Sequence, residues 1–287
     1  MTYESGRHYV SLADRELEEF VVFGRIFPRT GPIWRNHHMC RLLAFASMPP
    51  STPQELIGDD LASFVSLSQE HGDGWGMGWY EDDGELNVAK DVGAAHASDL
   101  LGKLSRTTET RAMVMHLRKA SPGLSIALEN THPFTAGGLA FAHNGWIRPI
   151  PELEDLLDPG LRYTLRGTTD SERYFQLLLA AMEPASDVER ALPPLLGRLR
   201  KGFRYNALNF VLLTERRLYA VCEYSVEAVA RRGEPDYYTL GYKAEAGAVV
   251  VGSSGCWGER PAWRTLANHQ ALVVDRGSLQ TEVLDLR

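Results

Sequence analysis

The chain has 287 residues, 44% of them hydrophobic, enough to bury a sizeable core as one large domain or two small ones. The formal charge is −7 and the 30 Lys and Arg residues are scattered, which excludes the electrostatic footprint of a DNA- or RNA-binding protein. No apolar run approaches the roughly 18–20 residues of a membrane span, and the first 38 residues hold no signal-peptide apolar region, so no membrane role is expected and the cytoplasm is the default compartment.

Residues 1–39 stand apart as an N-terminal extension, and residues 40–287, free of repeats, low-complexity tracts and long linkers, are expected to form one domain. Within the extension, Ser11–Phe27 is predicted as a short amphipathic helix, followed by the turn-rich Pro28–Pro32. From Cys40 onward, strand-like stretches start at Cys40, Gly74, Arg111 and Gly137, with helical ones at 62–69 and 97–105. The middle turns helical over 169–183 and 186–200, each opened by Thr, Asp or Ser capping residues, and these two helices are expected to pack together on a sheet. Antiparallel hairpins then dominate, with strands over 208–215, 217–224, 248–254, 271–275 and 279–286. Strands, helices and strands again, without regular alternation, describe an α+β fold.

Cysteine is the first candidate for chemistry. Cys40, Cys222 and Cys256 are too few and too widely spaced for a disulfide framework or a paired-cysteine zinc site. Met39-Cys40-Arg41 opens a strand, and Met39 suits an initiator whose removal leaves Cys40 with a free α-amine. Thiolate is the reactive form of cysteine, and such an amine, with an ordinary pKa of about 7.7–8.0, places a base in the same residue as the nucleophile. A lone strand cysteine is otherwise an apolar filler, so the surroundings must decide. His143-Asn144-Gly145 offers the Asn144 side-chain amide and the Gly145 N–H as oxyanion donors, although alone it suits an Asn-Gly hairpin turn equally well. Arg118 closes a strand and is suited to gripping a carboxylate, or is simply a solvated strand end. Gly167-Thr168-Thr169-Asp170-Ser171-Glu172 reads as a helix-capping box, in which Asp170 can instead meet a cationic amine. The glycine-rich Gly72–Gly78 lacks the Lys-Ser/Thr of a phosphate loop. The nine histidines show no zinc-site spacing; His116 and His132 are expected to be structural hydrogen-bonders, and a papain-like pairing of His143 with the cysteine needs a helix-borne Cys.

Taken in order, Met39-Cys40-Arg41, Asp73-Gly74-Trp75-Gly76, His116-Leu117-Arg118, Leu128–Phe134, Ala142-His143-Asn144-Gly145 and Thr169-Asp170-Ser171-Glu172 resemble the class II glutamine amidotransferase domain of the short stand-alone bacterial type, from Cys40 to about Asp275. The resemblance implies a four-layer αββα sandwich of the N-terminal-nucleophile hydrolase type. It makes Cys40 the nucleophile, its amine the base, and Asn144 with the Gly145 N–H the oxyanion hole. Arg118 with the Ser121 region would hold the α-carboxylate of glutamine, and Asp170 its α-ammonium. No metal or cofactor is implied.

One departure stands out: residues precede Cys40, and no free amine exists there as written. Translation from Met39, cleavage of a propeptide, or retention in an inactive protein are the three explanations. Three functions follow: an amidohydrolase releasing ammonia from glutamine to a separate synthase subunit, a hydrolase of a γ-glutamyl peptide or thiol conjugate, or a non-catalytic γ-glutamyl-binding module if the extension stays. Ser253–Cys256 matches the family loosely and is a candidate for shaping substrate or acceptor choice.

Overall fold

The computed structural model describes residues 39–287 other than 82, 186, 246 and 258–261, together with two short strands nearer the N-terminus, β1 (Glu19–Val22) and β2 (Arg25–Pro28). β1 and β2 form an antiparallel pair with Glu19 opposite Pro28 and Val22 opposite Arg25. The helix expected over Ser11–Phe27 is therefore extended in its described part, where the β-branched and aromatic residues Phe20, Val21, Val22, Ile26 and Phe27 favour strand. Its first half lies outside the described residues.

The main body follows in chain order as β3 (Arg41–Ser51), α1 (Pro53–Ile57), α2 (Asp59–Ser66), β4 (Trp75–Tyr80), β5 (Leu86–Asp91), α3 (Asp99–Thr107), β6 (Thr110–Leu117), β7 (Phe134–Ala136) and β8 (Leu139–Arg148). Next come α4 (Ile150–Glu154), α5 (Pro159–Thr164), α6 (Asp170–Ala185), α7 (Val188–Gly202), β9 (Arg204–Leu213), β10 (Arg217–Cys222) and α8 (Val226–Arg232). β11 (Leu240–Glu245), β12 (Ala248–Ser253), β13 (Arg264–Thr265), β14 (Gln270–Asp275) and β15 (Thr281–Asp285) complete it. One sheet runs β13-β11-β12-β3-β6-β4-β5 and the other β15-β14-β10-β9-β8-β7, with antiparallel neighbours throughout.

Side-chain parity along the strands builds the layers, because successive residues of a strand face opposite sides. In β3, Leu42, Ala44 and Ala46 join Ala140 and Ala142 of β8 and Val211 and Leu213 of β9 between the sheets. The alternate residues Leu43 and Phe45 face outward onto Leu61 and Phe64 of α2 and Leu101 of α3. On the other sheet, Phe141, Phe210 and Leu212 face α6 and α7 through Phe175, Leu178, Leu192 and Leu196, and Phe141 stacks on Phe175 at 5.2 Å. The result is a four-layer αββα sandwich, as the resemblance implies. Asp187, one of the capping residues expected there, accepts the Arg190 N–H at 2.7 Å and starts α7, and Ser98 accepts the Leu101 N–H at 3.2 Å and starts α3. Every apolar cluster among the described residues is drawn from residue 39 onward, so the main body holds a core of its own. Among the described residues no helix is long and apolar enough to cross a membrane.

The glycine-rich stretch has a packing explanation. A Cβ added at Gly76 would lie 1.9 Å from the His132 carbonyl oxygen, and one at Gly78 3.1 Å from the Pro133 ring. Only glycines let the 132–133 segment lie directly on β4.

Candidate active site

Pairing of β3 with β6 sets Arg41 opposite Leu117, which carries Cys40 alongside the loop that leaves β6. There the Lys119 N–H donates to Cys40 Sγ at 3.3 Å, and the thiol donates to the Lys119 carbonyl at 3.6 Å. The loop is clamped by the Asp73-Gly74 pair: the Arg118 N–H donates to Gly74 O at 2.8 Å, Asp73 N–H to Arg118 O at 3.1 Å, and Ala120 N–H to Asp73 Oδ2 at 2.9 Å. Lys119 Nζ lies 3.8 Å from the same carboxylate. Asp73 and Lys119 thus position the nucleophile's neighbourhood, a role the sequence reading did not assign although Asp73 stood in a quoted motif. Arg118 is buried, donating through Nη1 to Asp73 O at 3.3 Å and through Nη2 to Ser125 O at 2.9 Å. Ser121 is half-buried in the following turn, where its carbonyl accepts the Leu124 N–H at 3.0 Å.

Asn144 and Gly145 lie within β8, opposite Asn209 and Leu208 of β9, and the register shifts before Ile147. His143-Asn144-Gly145 is therefore a strand segment with an irregularity after it and not a hairpin turn. Asn144 is 1% exposed, and its Oδ1 is buried without a hydrogen-bond partner. A Cβ on Gly145 would lie 1.8 Å from the Ala207 carbonyl oxygen, so glycine is required there for the two strands to meet.

Asp170 starts α6, where Oδ2 accepts the Ile147 N–H at 2.5 Å and lies 3.0 Å from the Arg148 guanidinium. It is thereby fastened to the strand that carries Asn144, with one oxygen already shared. Thr169 caps the helix by accepting the Glu172 N–H at 3.2 Å. The reciprocal half of a capping box is absent, because Glu172 instead accepts the Arg166 and Gly167 N–H groups at 2.7 and 2.8 Å. Asn130 joins the two candidate anchor loops. Its Nδ2 donates to Ser125 O at 3.1 Å and to Thr168 Oγ1 at 3.2 Å, and its Oδ1 accepts the Thr168 N–H at 2.8 Å. This bridge was legible only as membership of the Leu128–Phe134 motif.

Burial pushes the Cys40 thiol above its ordinary value; the Lys119 N–H and the Arg118 and Arg41 charges pull it down, and Asp170 pushes it up. With Met39 attached, the nitrogen of Cys40 is an amide and supplies no base.

His143 does not supply one either. Its Nε2 faces the Ala207 carbonyl at 3.2 Å and so carries the proton, which leaves Nδ1 to accept from the Ser171 hydroxyl at 2.9 Å. His116 Nε2 likewise donates to the His143 carbonyl at 3.2 Å, as expected of a structural residue. His132 differs: neither ring nitrogen has a hydrogen-bond partner, and the ring packs 4.0 Å from His116 and edge-on to Phe134 at 4.6 Å. Burial holds all three imidazoles below their ordinary value, His116 and His132 well below it. Above pH 6.5 both folded and unfolded chains carry them neutral; as pH falls below 6.5 the unfolded chain takes up protons that the folded one refuses, and stability drops. Well below pH 6.5, His116 and His132 each contribute a slope approaching about 1.4 kcal/mol per pH unit, and His143 adds in the same direction. Denaturant midpoints between pH 7 and 5 should fall steeply, and His132→Phe should remove about one histidine's share of the slope. An unchanged slope in that variant would show that His132 titrates freely.

The profile of the family Glutamine amidotransferases class-II matches residues 39–247. YafJ of Escherichia coli K12 is 29% identical over 225 residues, covering 70% of this chain and 80% of its own. DUG3 of Saccharomyces cerevisiae is 28% identical over 50% of this chain and 46% of its own, and an uncharacterized protein of Methanocaldococcus jannaschii 38% identical over 43% and 34%. The chain thus spans about a third to less than half of two of these relatives. Among solved structures, a glutamine aminotransferase class-II domain protein from Silicibacter pomeroyi aligns with a TM-score of 0.58 at 19% identity, covering 86% of this chain and 99% of that one. The glutamine phosphoribosylpyrophosphate amidotransferase of Bacillus subtilis aligns with a TM-score of 0.60 at 18% identity, covering 86% of this chain and 49% of that one. The fold is that of these class II amidotransferase structures. The chain belongs to the class II glutamine amidotransferase family.

Proposed function

We propose that the chain, once it begins at Cys40, cleaves the side-chain amide of glutamine through a γ-glutamyl thioester and releases ammonia to a separate acceptor synthase. The observation that carries this reading is Cys40 Sγ held by the N–H of Lys119, the residue after Arg118, while Asp170 is fastened to the β8 strand that carries Asn144 and Gly145, so that opposite charges stand for the two ends of an amino acid. The α-amine of Cys40 takes the thiol proton, Sγ attacks the amide carbon, and the carbonyl oxygen moves toward Asn144 Nδ2 and the Gly145 N–H. The same amine returns the proton to the departing nitrogen, and water then hydrolyses the thioester to glutamate. Arg118, beside Ser121, takes the α-carboxylate, and Asp170 takes the α-ammonium. All three cysteines are free thiols, which suits a reducing compartment such as the cytoplasm.

The test is ammonia release from glutamine by protein expressed from Met39, with loss of that methionine verified by intact mass. Arg118→Ala is expected to lower kcat/KM for glutamine about 10- to 150-fold, mainly through KM, as loss of one charge-assisted contact predicts. An amide lacking the α-carboxylate should suffer much less from the same substitution. Equal losses on both substrates would remove Arg118 from the carboxylate site, and absence of glutamine hydrolysis would remove the function.

A further inference from the structure

The residue in front of the nucleophile sits in a built slot. Met39 is 6% exposed and shares an apolar cluster with Ala207, Ala228, Tyr237 and Tyr238. Its N–H donates to Tyr237 Oη at 2.6 Å, its sulfur accepts from Asn206 Nδ2 at 2.9 Å, and its carbonyl accepts from Arg41 Nη1 at 3.2 Å.

The walls do not depend on Met39. Asn206 Oδ1 accepts the Trp146 and Ala207 N–H groups at 2.8 and 2.7 Å, which fixes the direction of Nδ2. Ser254 Oγ donates to Tyr237 O at 2.7 Å, and Asn209 Nδ2 donates to Tyr238 O at 2.5 Å. The Arg41 guanidinium lies 4.4 Å above the Tyr237 ring, and its Nε is buried without a partner. When Met39 leaves, the apolar cluster of Ala207, Ala228, Tyr237 and Tyr238 loses the side chain that fills it, and an apolar occupant would restore that burial.

Chemistry says which side of the reaction this slot serves. The Cys40 amine must reach the departing nitrogen at about 2.6–3.2 Å to return its proton. Met39 is bonded to the Cys40 nitrogen that becomes this amine, so the space it vacates adjoins the leaving group. A cleft of about 530 Å³ shares Arg41 and Tyr237 with the slot and has Ser254 in its lining.

We propose that the slot vacated by Met39 is a leaving-group subsite that accepts γ-glutamyl amides whose nitrogen carries an unbranched apolar substituent about as long as a methionine side chain. This rests on the reading of Cys40 as an exposed N-terminal nucleophile. Attack forms the Sγ–carbon bond and breaks the carbon–nitrogen bond; the nitrogen takes the amine's proton and leaves as a primary alkylamine in place of ammonia, and water completes the hydrolysis to glutamate.

The experiment compares glutamine with N-methyl, N-propyl and N-butyl γ-glutamyl amides, using mass-verified protein beginning at Cys40. Burial of three further methylenes should raise kcat/KM at least tenfold from the methyl to the butyl amide, at about 0.8 kcal/mol for each. Ala228→Met, which fills the slot from α8, should lower the butylamide-to-glutamine ratio of kcat/KM at least tenfold. A flat or falling alkyl series in the unsubstituted protein overturns the subsite even if the variant fails to fold, as does an unchanged ratio in a folded variant. If neither glutamine nor any of the three N-alkyl amides is hydrolysed, the failure lies with the nucleophile assignment and not with the slot.

Discussion

Protein beginning at Cys40 is expected to hydrolyse glutamine, and Cys40→Ala in the same protein to lose at least about 10⁴-fold in kcat, because a nucleophile and not a binding contact is removed. The uncut chain is expected to behave like the variant. In it the nitrogen of Cys40 is an amide, and burial holds the thiol above its ordinary value, so the thiol stays protonated at neutral pH with no base beside it. His143, the one histidine that the sequence offered as a substitute base, is committed to Ala207 and Ser171. Intact mass paired with an ammonia assay separates the cases. A sample whose mass retains residues 1–39 and that turns over glutamine as fast as the Cys40-first protein would sink the amine-base mechanism.

Much of the fold was legible because its strands carry period-two patterns whose two faces meet different layers, as in β3, where Leu42, Ala44 and Ala46 face the other sheet and Leu43 and Phe45 the helices. What was not legible has physical reasons. β11 carries Lys243 and Glu245 and has no apolar run, so only its pairing with β12 reveals it. The pairing of β1 with β2 is not legible because acidic residues ahead of an apolar run suit a helix start as well as a strand. Asn-Gly at 144–145 suggested a turn, yet Gly145 is there for contact with Ala207 across two strands, a long-range cause that local sequence does not carry. The candidate residues were legible as a set only through the order of their motifs. Asp73 and Asn130 lay inside those motifs without a role, because their partners, the backbones of 118–120, 125 and 168, are distant in sequence. Tyr237 and Asn206 carried no signal at all: they matter only through Met39, which local reading treated as something to be removed.

Asn144→Ala should lower kcat for glutamine about 10²–10³-fold, the usual effect of removing one oxyanion donor, while leaving the folded protein close to its original stability. The contrast with its cross-strand neighbour makes this sharp. Asn209, directly opposite on β9, donates to Tyr238 O at 2.5 Å and accepts the Glu223 N–H at 2.7 Å. Asn144, equally buried, has an Oδ1 with no partner. A buried amide whose bonds are made holds the fold, and its loss exposes two backbone groups, at about 1–3 kcal/mol each. A buried amide left uncommitted contributes little to folding and is available to a substrate. Asn209→Ala should therefore shift the denaturant midpoint strongly, and Asn144→Ala should act on kcat with only the small penalty of a trimmed side chain. Measuring both quantities in both variants decides the matter: an Asn144→Ala protein that unfolds as easily as Asn209→Ala and keeps kcat within threefold would make Asn144 a structural residue and leave the developing oxyanion without its side-chain donor.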